Sequence, residues 1–154
     1  MRASAKKLKW LLRFYPPFFF QRIVVKEIHP EFLHMHLRVK RSLLTRNPAG
    51  TTFGGTIFSA TDPLYALMLS SALERRGLNI VVWLKHAKID YLKPAATTLD
   101  IHVDLPSEVV DEAMQVVSSG EKYIRSFEIL LTDASGEICA KVENQVYVRL
   151  AGQR

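Results

Sequence analysis

The chain has 154 residues, of which 48% are hydrophobic and 23% are charged. This length suits one domain with a single substantial core, and the composition is that of a globular protein and not of a disordered one. The net charge is +6, from 21 Lys and Arg against 15 Asp and Glu. Such a balance suits an anionic partner: a phosphorylated cofactor tail, a nucleic acid or a membrane surface.

Several partner classes are excluded by what the sequence lacks. No apolar run is long and uncharged enough to span a bilayer, so we expect no stable membrane insertion. The positive charge is not accompanied by a nucleic-acid-binding motif, so we expect no nucleic-acid partner. The single Cys139 cannot form an internal disulfide, which favours a reducing compartment, and we expect a cytoplasmic protein.

Residues 1–20 form a basic, amphipathic N-terminal extension of a single domain that spans residues 1–154. Leucines and Trp10 alternate with basic residues over 6–14, which predicts a short helix that Pro16 and Pro17 end. We expect this helix to cover an open end of the core, with binding to a membrane surface as the alternative.

Alternation of apolar and polar residues, or enrichment in β-branched ones, predicts strands on both sides of a long uncharged segment. Residues 133–136 are typical of a hairpin turn, and residues 106–119 fit either a short helix or a loosely paired strand. No segment after the central one has clear helical periodicity that could connect parallel strands, so we predict one antiparallel sheet and an α+β fold. The predicted strands are 22–28, 32–41, 80–92, 97–105, 123–132 and 138–150.

The central segment, residues 47–76, is dominated by small and apolar residues and ends before Gly77, which predicts a helix buried on most of its circumference. Two starting points are open. Asp62 followed by Pro63 is a common N-cap and first helical residue, which would place the start there. Alternatively, the helix begins near Gly55 and is kinked at Pro63.

Gly54 and Gly55 at the start of a helix would present free backbone N–H groups at its positive end, which is a ready site for an anion or oxyanion. Asp62 is the only acid on an otherwise uncharged surface. Together they form a minimal set for hydrolysing an activated acyl bond, with Asp62 as nucleophile or as general base towards water. The alternative is that Asp62 only caps a helix.

His34 and His36 point the same way on one predicted strand, which is the spacing of a metal-binding pair. No cluster of cysteines or acids follows them in sequence, and Arg38 and Lys40 on the same face would repel a cation. We therefore expect no metal site.

The segment Asn47-Pro48-Ala49-Gly50-Thr51-Thr52-Phe53-Gly54-Gly55, with Asp62 after it, resembles the signature of hotdog-fold acyl-CoA thioesterases. The resemblance is greatest to the phenylacetyl-CoA-pathway type and covers roughly residues 20–150. Residues 89–95, the 133–136 hairpin and Tyr147-Val148-Arg149 also resemble that family. It implies a hotdog fold, in which one long antiparallel sheet wraps around a central helix.

The resemblance also implies roles for particular residues. Gly54 N–H would polarise the thioester carbonyl, and Asp62, usually from the opposite subunit, would act as nucleophile or general base. Asn47 would order the loop or contact the acyl group. No cofactor is implied, since coenzyme A is part of the acyl thioester substrate. Candidates to bind the substrate are Gly55, Phe53, Phe58 and Tyr65 at the acyl group, and Lys85, His86, Lys88 and Arg125 at the phosphates of coenzyme A.

Phe53 stands where the family has a histidine. This difference supports a second hypothesis, a non-catalytic hotdog module that binds an acyl ligand or a partner protein. Under either hypothesis we expect a homodimer or a dimer of dimers, because a sheet wrapped around one helix leaves edges and one helix face for a partner to cover.

Overall fold

One antiparallel sheet of six strands forms the body of the protein, in a computed structural model that describes residues 4–152. Its strand order is β1-β2-β4-β5-β6-β3, so β1 and β3 are the edges. The strands are β1 (Ile23–Ile28), β2 (His34–Val39), β3 (Ile80–Tyr91), β4 (Leu99–Asp104), β5 (Tyr123–Thr132) and β6 (Ile138–Leu150). The helices are α1 (Ala5–Phe14), α2 (Pro16–Phe20), α3 (Gly54–Thr61), α4 (Leu64–Arg75) and α5 (Ser107–Ser118).

Strand pairing places the alternating apolar residues of neighbouring strands on one face of the sheet. In the β2–β4 pair, Leu37 lies opposite Ile101 and Val39 opposite Leu99, and all four side chains are fully buried. The intervening residues carry His34, His36 and Arg38 to the other face. The alternation of the sequence is therefore the alternation of a half-buried sheet.

The central helix packs against the buried face and is interrupted at Asp62 and Pro63, which separate α3 from α4. Pro63 has no N–H to continue the hydrogen-bond ladder, which accounts for the break. The start near Gly55 with a kink at Pro63 is confirmed, and the alternative start at Pro63 is wrong. On α4, Leu64, Met68, Leu69 and Leu73 are fully buried, as expected for a helix wrapped by a sheet. The predicted α+β hotdog fold is confirmed.

The structure decides one segment that the sequence left open and changes another. Residues 107–118 form helix α5, whose buried Val109, Val110, Ala113 and Val117 lie on one side. Pro16 and Pro17 do end the first helix, but they also begin the short helix α2, because proline is compatible with the first helical turn. No helix within residues 4–152 is long and apolar enough to cross a membrane.

Candidate functional site

The loop before α3 is held by the side chain of Asn47. Its Nδ2 donates to Thr51 Oγ1 at 2.9 Å, and its Oδ1 accepts from the Thr51 N–H at 3.1 Å. The Asn47 N–H also donates to the Thr51 carbonyl at 2.8 Å, around a turn in which Gly50 has φ +80°. Of the two roles implied for Asn47, this geometry is that of a residue that orders the loop.

The first turn of α3 leaves two backbone donors available. The N–H groups of Thr56 and Ile57 donate to the Phe53 carbonyl at 2.9 and 3.3 Å, whereas those of Gly54 and Gly55 have no acceptor within residues 4–152. Phe53, the N-cap residue, makes no side-chain cap hydrogen bond. The positive end of the helix dipole adds to these two donors, so this turn can bind an anion or a developing oxyanion.

Aromatic rings flank both glycines. The Tyr91 hydroxyl donates to the Gly54 carbonyl at 3.0 Å, and a Cβ at Gly54 would lie only 2.7 Å from that hydroxyl oxygen. A Cβ at Gly55 would overlap the Phe53 ring. A side chain at either position would therefore have to displace an exposed aromatic ring, that of Tyr91 or that of Phe53. In the sequence, Tyr91 was noted only as part of residues 89–95. Its contact with Gly54 depends on the tertiary structure.

Asp62 lies at the other end of α3, exposed to solvent. Its carboxylate forms no hydrogen bond or ion pair with any described residue, and no side chain caps α4. The preceding carbonyl, that of Thr61, accepts a hydrogen bond of 2.8 Å from Nδ2 of Asn144 on β6. Asn144 is fully buried and ties the helix break to the sheet. The signal in the sequence that could have identified Asn144 is a polar residue at a position of β6 where the alternation predicts an apolar one.

The two halves of the candidate site are too far apart to act together within one chain. Helix α3 has eight residues between the Gly54 donors and Asp62. At 1.5 Å per residue, its ends are on the order of 12 Å apart. One acyl carbon must lie within about 3 Å of both the nucleophile and the oxyanion donors.

The remaining predicted substrate-binding residues fall into two groups. Phe58 is half-buried on α3, whereas Tyr65 lies in the core, stacked on Phe127 at 4.1 Å, with its hydroxyl donating to the Asp104 carbonyl at 3.3 Å. Burial, and next to it the charge of Asp104, raises the pKa of Tyr65 to about 12. Lys85 and His86 are exposed at a bulge in β3, and neither has an ion-pair partner in the described part of the chain. Lys88 and Arg125 are instead paired, with Asp90 at 3.1 Å and with Glu112 at 2.5 Å.

Strand pairing brings companions to the two histidines of β2. His36 Nε2 lies 2.6 Å from Asp100 Oδ1 and its ring stacks on His102 at 4.0 Å, while His34 Nδ1 lies 2.7 Å from Asp104 Oδ1. Possible ligand atoms of His36, Asp100 and His102 lie within 4.8 Å of one another. The expectation that no further ligand residues accompany the two histidines is wrong. Strand β4, about 65 residues further along the chain, pairs with β2 and brings such residues next to them.

Arg38 competes with any cation at this cluster. Its Nε and Nη2 donate to the two carboxylate oxygens of Asp100 at 3.0 and 3.2 Å. Burial alone would raise the pKa of Asp100, but the hydrogen bonds from His36 and Arg38 outweigh it and lower that pKa. Because Asp100 is already neutralised, the absence of a bound metal stays our prediction.

The family model described as a domain of unknown function, DUF4442, matches residues 5–148. The chain belongs to this family. No curated protein sequence matches it.

Solved structures with the same fold include several described as thioesterases. A Pseudomonas aeruginosa protein of unknown function, called a probable thioesterase, has a TM-score of 0.79 and 18% identity, with 97% of this chain and 98% of that one covered. A Haemophilus influenzae thioesterase has a TM-score of 0.71 and 13% identity, with 100% and 96% covered. The PaaI protein of the E. coli phenylacetic acid degradation operon has a TM-score of 0.63 and 13% identity, with 96% and 94% covered. At these identities the likeness of the DUF4442 chain to them is one of fold.

Proposed function

We propose that this protein is a thioesterase that hydrolyses an acyl-CoA or related thioester at a site shared between two copies of the chain. The observation that carries the proposal is the unpaired pair of N–H groups at Gly54 and Gly55, at the start of a helix that Asp62 follows. These are an oxyanion site and a free carboxylate, the two groups that acyl transfer from a thioester needs.

The chemistry follows from these groups. The Gly54 and Gly55 N–H groups polarise the thioester carbonyl and stabilise the negative charge of the tetrahedral intermediate. Asp62 either accepts a proton from the attacking water or itself attacks the carbonyl carbon, forming an anhydride that water then hydrolyses. In both routes the C–S bond breaks, coenzyme A leaves as the thiolate and takes up a proton, and the products are a carboxylate and a free thiol.

Two features support a homodimeric site. The length of α3 separates Gly54 from its own Asp62 by on the order of 12 Å, so the Asp62 that serves one Gly54 comes from another copy. Strand β3 is a sheet edge of 12 residues that begins Ile80-Val81-Val82-Trp83-Leu84, and its free edge offers unpaired backbone groups to a second copy. Dimers can pair into a dimer of dimers.

Coenzyme A would be bound through its phosphates. Lys85 and His86 are adjacent, exposed and without an ion-pair partner in residues 4–152, on the same edge strand that the dimer would use. The buried Cys139, whose pKa is raised by burial, has the character of a packed thiol and not of a nucleophile. A lone thiol of this kind is compatible with the cytoplasmic location that we propose.

A panel of short, medium, long and aryl acyl-CoAs, with detection of the released thiol, tests the activity. The wild type should hydrolyse at least one class, and Asp62→Asn should lower kcat by roughly 10²–10⁴-fold, the usual contribution of a positioned acid or base. Lys122→Gln, an exposed change on the α5–β5 connection, serves as the control and should leave the rate unchanged. An active wild type whose Asn variant keeps its rate would exclude Asp62 as the catalytic group.

Mixing two inactive variants separates the shared site from a single-chain one. Asp62→Asn removes the carboxylate, and Gly54→Pro removes the Gly54 N–H at the first position of α3, where proline is compatible with the helix. Their mixed dimer therefore contains one site with both halves intact. Activity recovered on mixing the two supports the shared site. No recovery, with mixed dimers demonstrated by differential tagging, would refute it.

A non-catalytic acyl-binding module is the second candidate, favoured by Phe53. Its ring lies against Gly55, at the position where the hotdog-fold acyl-CoA thioesterases that the segment resembles have a histidine, so the entrance of the site is apolar and lacks one polar group. Binding of acyl-CoA without thiol release, seen by calorimetry, would support this candidate over the enzyme.

A further inference from the structure

The helix α1 has two apolar sides, and the core uses only one of them. Ala5 is buried and Leu8 and Leu12 are half-buried against the sheet. Trp10 and Phe14, one helical turn apart and stacked at 5.9 Å, are 61% and 63% exposed on the opposite side. A helix that only covered the core would be polar there.

Helix α2 follows α1 directly and adds further exposed apolar residues. Phe18 anchors it with 2% exposure, while the adjacent Phe19 and Phe20 remain exposed. Isolated exposed apolar residues are normal, but six large ones within residues 10–20, on two consecutive helices, indicate an interaction surface. We call this group the N-terminal apolar surface: Trp10, Leu11, Phe14, Tyr15, Phe19 and Phe20.

Positive charge is concentrated around this surface. Residues 1–26 contain seven Lys and Arg and no Asp or Glu, whereas residues 27–154 contain 14 basic and 15 acidic residues. The first 26 residues therefore carry a charge of +7 and the rest of the chain −1, which together give the net charge of +6. Lys6, Lys7 and Arg13 are exposed on the same helix as Trp10 and Phe14.

We propose that α1 and α2 dock the protein on the surface of an anionic phospholipid bilayer. The combination of Trp, Phe and Leu with flanking Lys and Arg is that of helices that lie in the bilayer interface. A second copy of the chain is disfavoured as the occupant, because a two-fold contact through this surface would oppose two basic clusters. The ligand is the anionic headgroup layer together with the upper acyl region.

Docking in this way would bring the bilayer next to the candidate site. Helix α2 contacts α3, where Gln21 Nε2 donates to Ser59 Oγ at 3.2 Å. Lipid binding is nevertheless independent of catalysis, since it uses none of Gly54, Gly55 and Asp62. Loss of one property in a variant therefore leaves the other measurable.

Flotation of the full-length protein with vesicles is the test. We expect it to float with vesicles of phosphatidylcholine and phosphatidylglycerol, and not with phosphatidylcholine alone. The triple variant Trp10→Ser/Phe14→Ser/Phe20→Ser should lose flotation, while Ile124→Ser/Leu130→Ser, exposed apolar changes on β5, should keep it. All five changes are at exposed positions, and unchanged thermal unfolding would confirm that each variant is folded.

The charge contribution is tested separately. Lys6→Gln/Lys7→Gln should weaken the partitioning of the protein onto anionic vesicles roughly thirtyfold at low salt. Each basic residue near the membrane surface contributes about a factor of five to this partitioning. Lys122→Gln/Lys141→Gln removes the same charge at exposed positions elsewhere and should have little effect. In a Trp83→Phe background, Trp10 is the only tryptophan, and its emission should shift to shorter wavelength on anionic vesicles.

Three kinds of result would overturn the proposal. The first is no flotation with anionic vesicles at low salt, or a triple variant that floats as the wild type does. The second is a triple variant whose oligomer dissociates, which would make the surface an interface between copies. The third is binding of a nucleic acid oligomer that depends on Lys6 and Lys7 while vesicles do not bind.

Discussion

Asn144 holds the break in the central helix against the sheet, and substitutions there test this role. The side chain is fully buried, and its Nδ2 donates to the Thr61 carbonyl at 2.8 Å. Its Oδ1 has no hydrogen-bond partner among the described residues. Removing the amide thus deletes one useful hydrogen bond and one unpaired oxygen together.

The magnitudes of three substitutions differ for physical reasons. Asn144→Ala leaves the Thr61 carbonyl without this partner, at about 1–3 kcal/mol, and opens a cavity that adds about 1 kcal/mol. Loss of the unpaired oxygen offsets part of this, so we expect a net loss of about 2–3 kcal/mol. Asn144→Leu fills the space and should cost about 1–2 kcal/mol. Asn144→Asp buries a carboxylate facing a carbonyl and should cost about 3–5 kcal/mol at pH 7.

Urea unfolding at pH 7, followed by circular dichroism at one fixed protein concentration, measures these differences. The loss in Asn144→Asp should shrink as the pH falls, because a protonated carboxyl can donate to the Thr61 carbonyl. Gln145→Ala, the half-exposed neighbour on the other face of β6, is the control and should stay within about 0.5 kcal/mol of wild type. An alanine variant as stable as wild type, or a leucine variant as unstable as the aspartate one, would refute this account of the hydrogen bond.

Asp62→Ala should change the free energy of unfolding by less than about 0.5 kcal/mol, because the carboxylate is exposed and caps no helix; a loss of 1 kcal/mol or more in urea unfolding would restore the capping role. The folded-state pKa values of Asp100 and His102 are both lowered, that of His102 by burial and then by the neighbouring His36 and His34 rings. As the pH falls, the unfolded chain therefore binds protons at these two residues before the folded protein does. Stability should therefore decline from about pH 6.5 through His102 and again below about pH 4 through Asp100; the lower decline should flatten in Asp100→Asn, and an unchanged profile would contradict the assignment. Phe53→His should raise thiol release only while Asp62 is present, and an equal gain in the Asp62→Asn background would show that the histidine acts independently.

The sequence pattern predicted secondary structure correctly where a residue's conformation depends mainly on its neighbours along the chain. Period-two alternation over 34–39 and 99–104 predicted strands with the correct buried face, because a half-buried strand imposes that period. The antiparallel sheet was predicted from an expected lack of helices after the central one. Helix α5 contradicts that premise, although the strands that it connects, β4 and β5, are antiparallel as predicted. The choice between a start at Gly55 and one at Pro63 could not be made locally, because Asp62-Pro63 is an acceptable helix start and Gly54-Gly55 an acceptable loop end.

The α+β fold, the strand boundaries to within a few residues and two chemically distinct groups, Gly54-Gly55 and Asp62, could all be identified from the residues alone. The contacts between distant parts of the chain come from the folded arrangement: Asn144 at the Thr61 carbonyl, Tyr91 at Gly54, and His102 and Asp100 beside His36. These partners are 37 to 83 residues apart, and their contacts depend on strand register. Register is set by the packing of all the strands together around one helix, so no single segment of the sequence contains it.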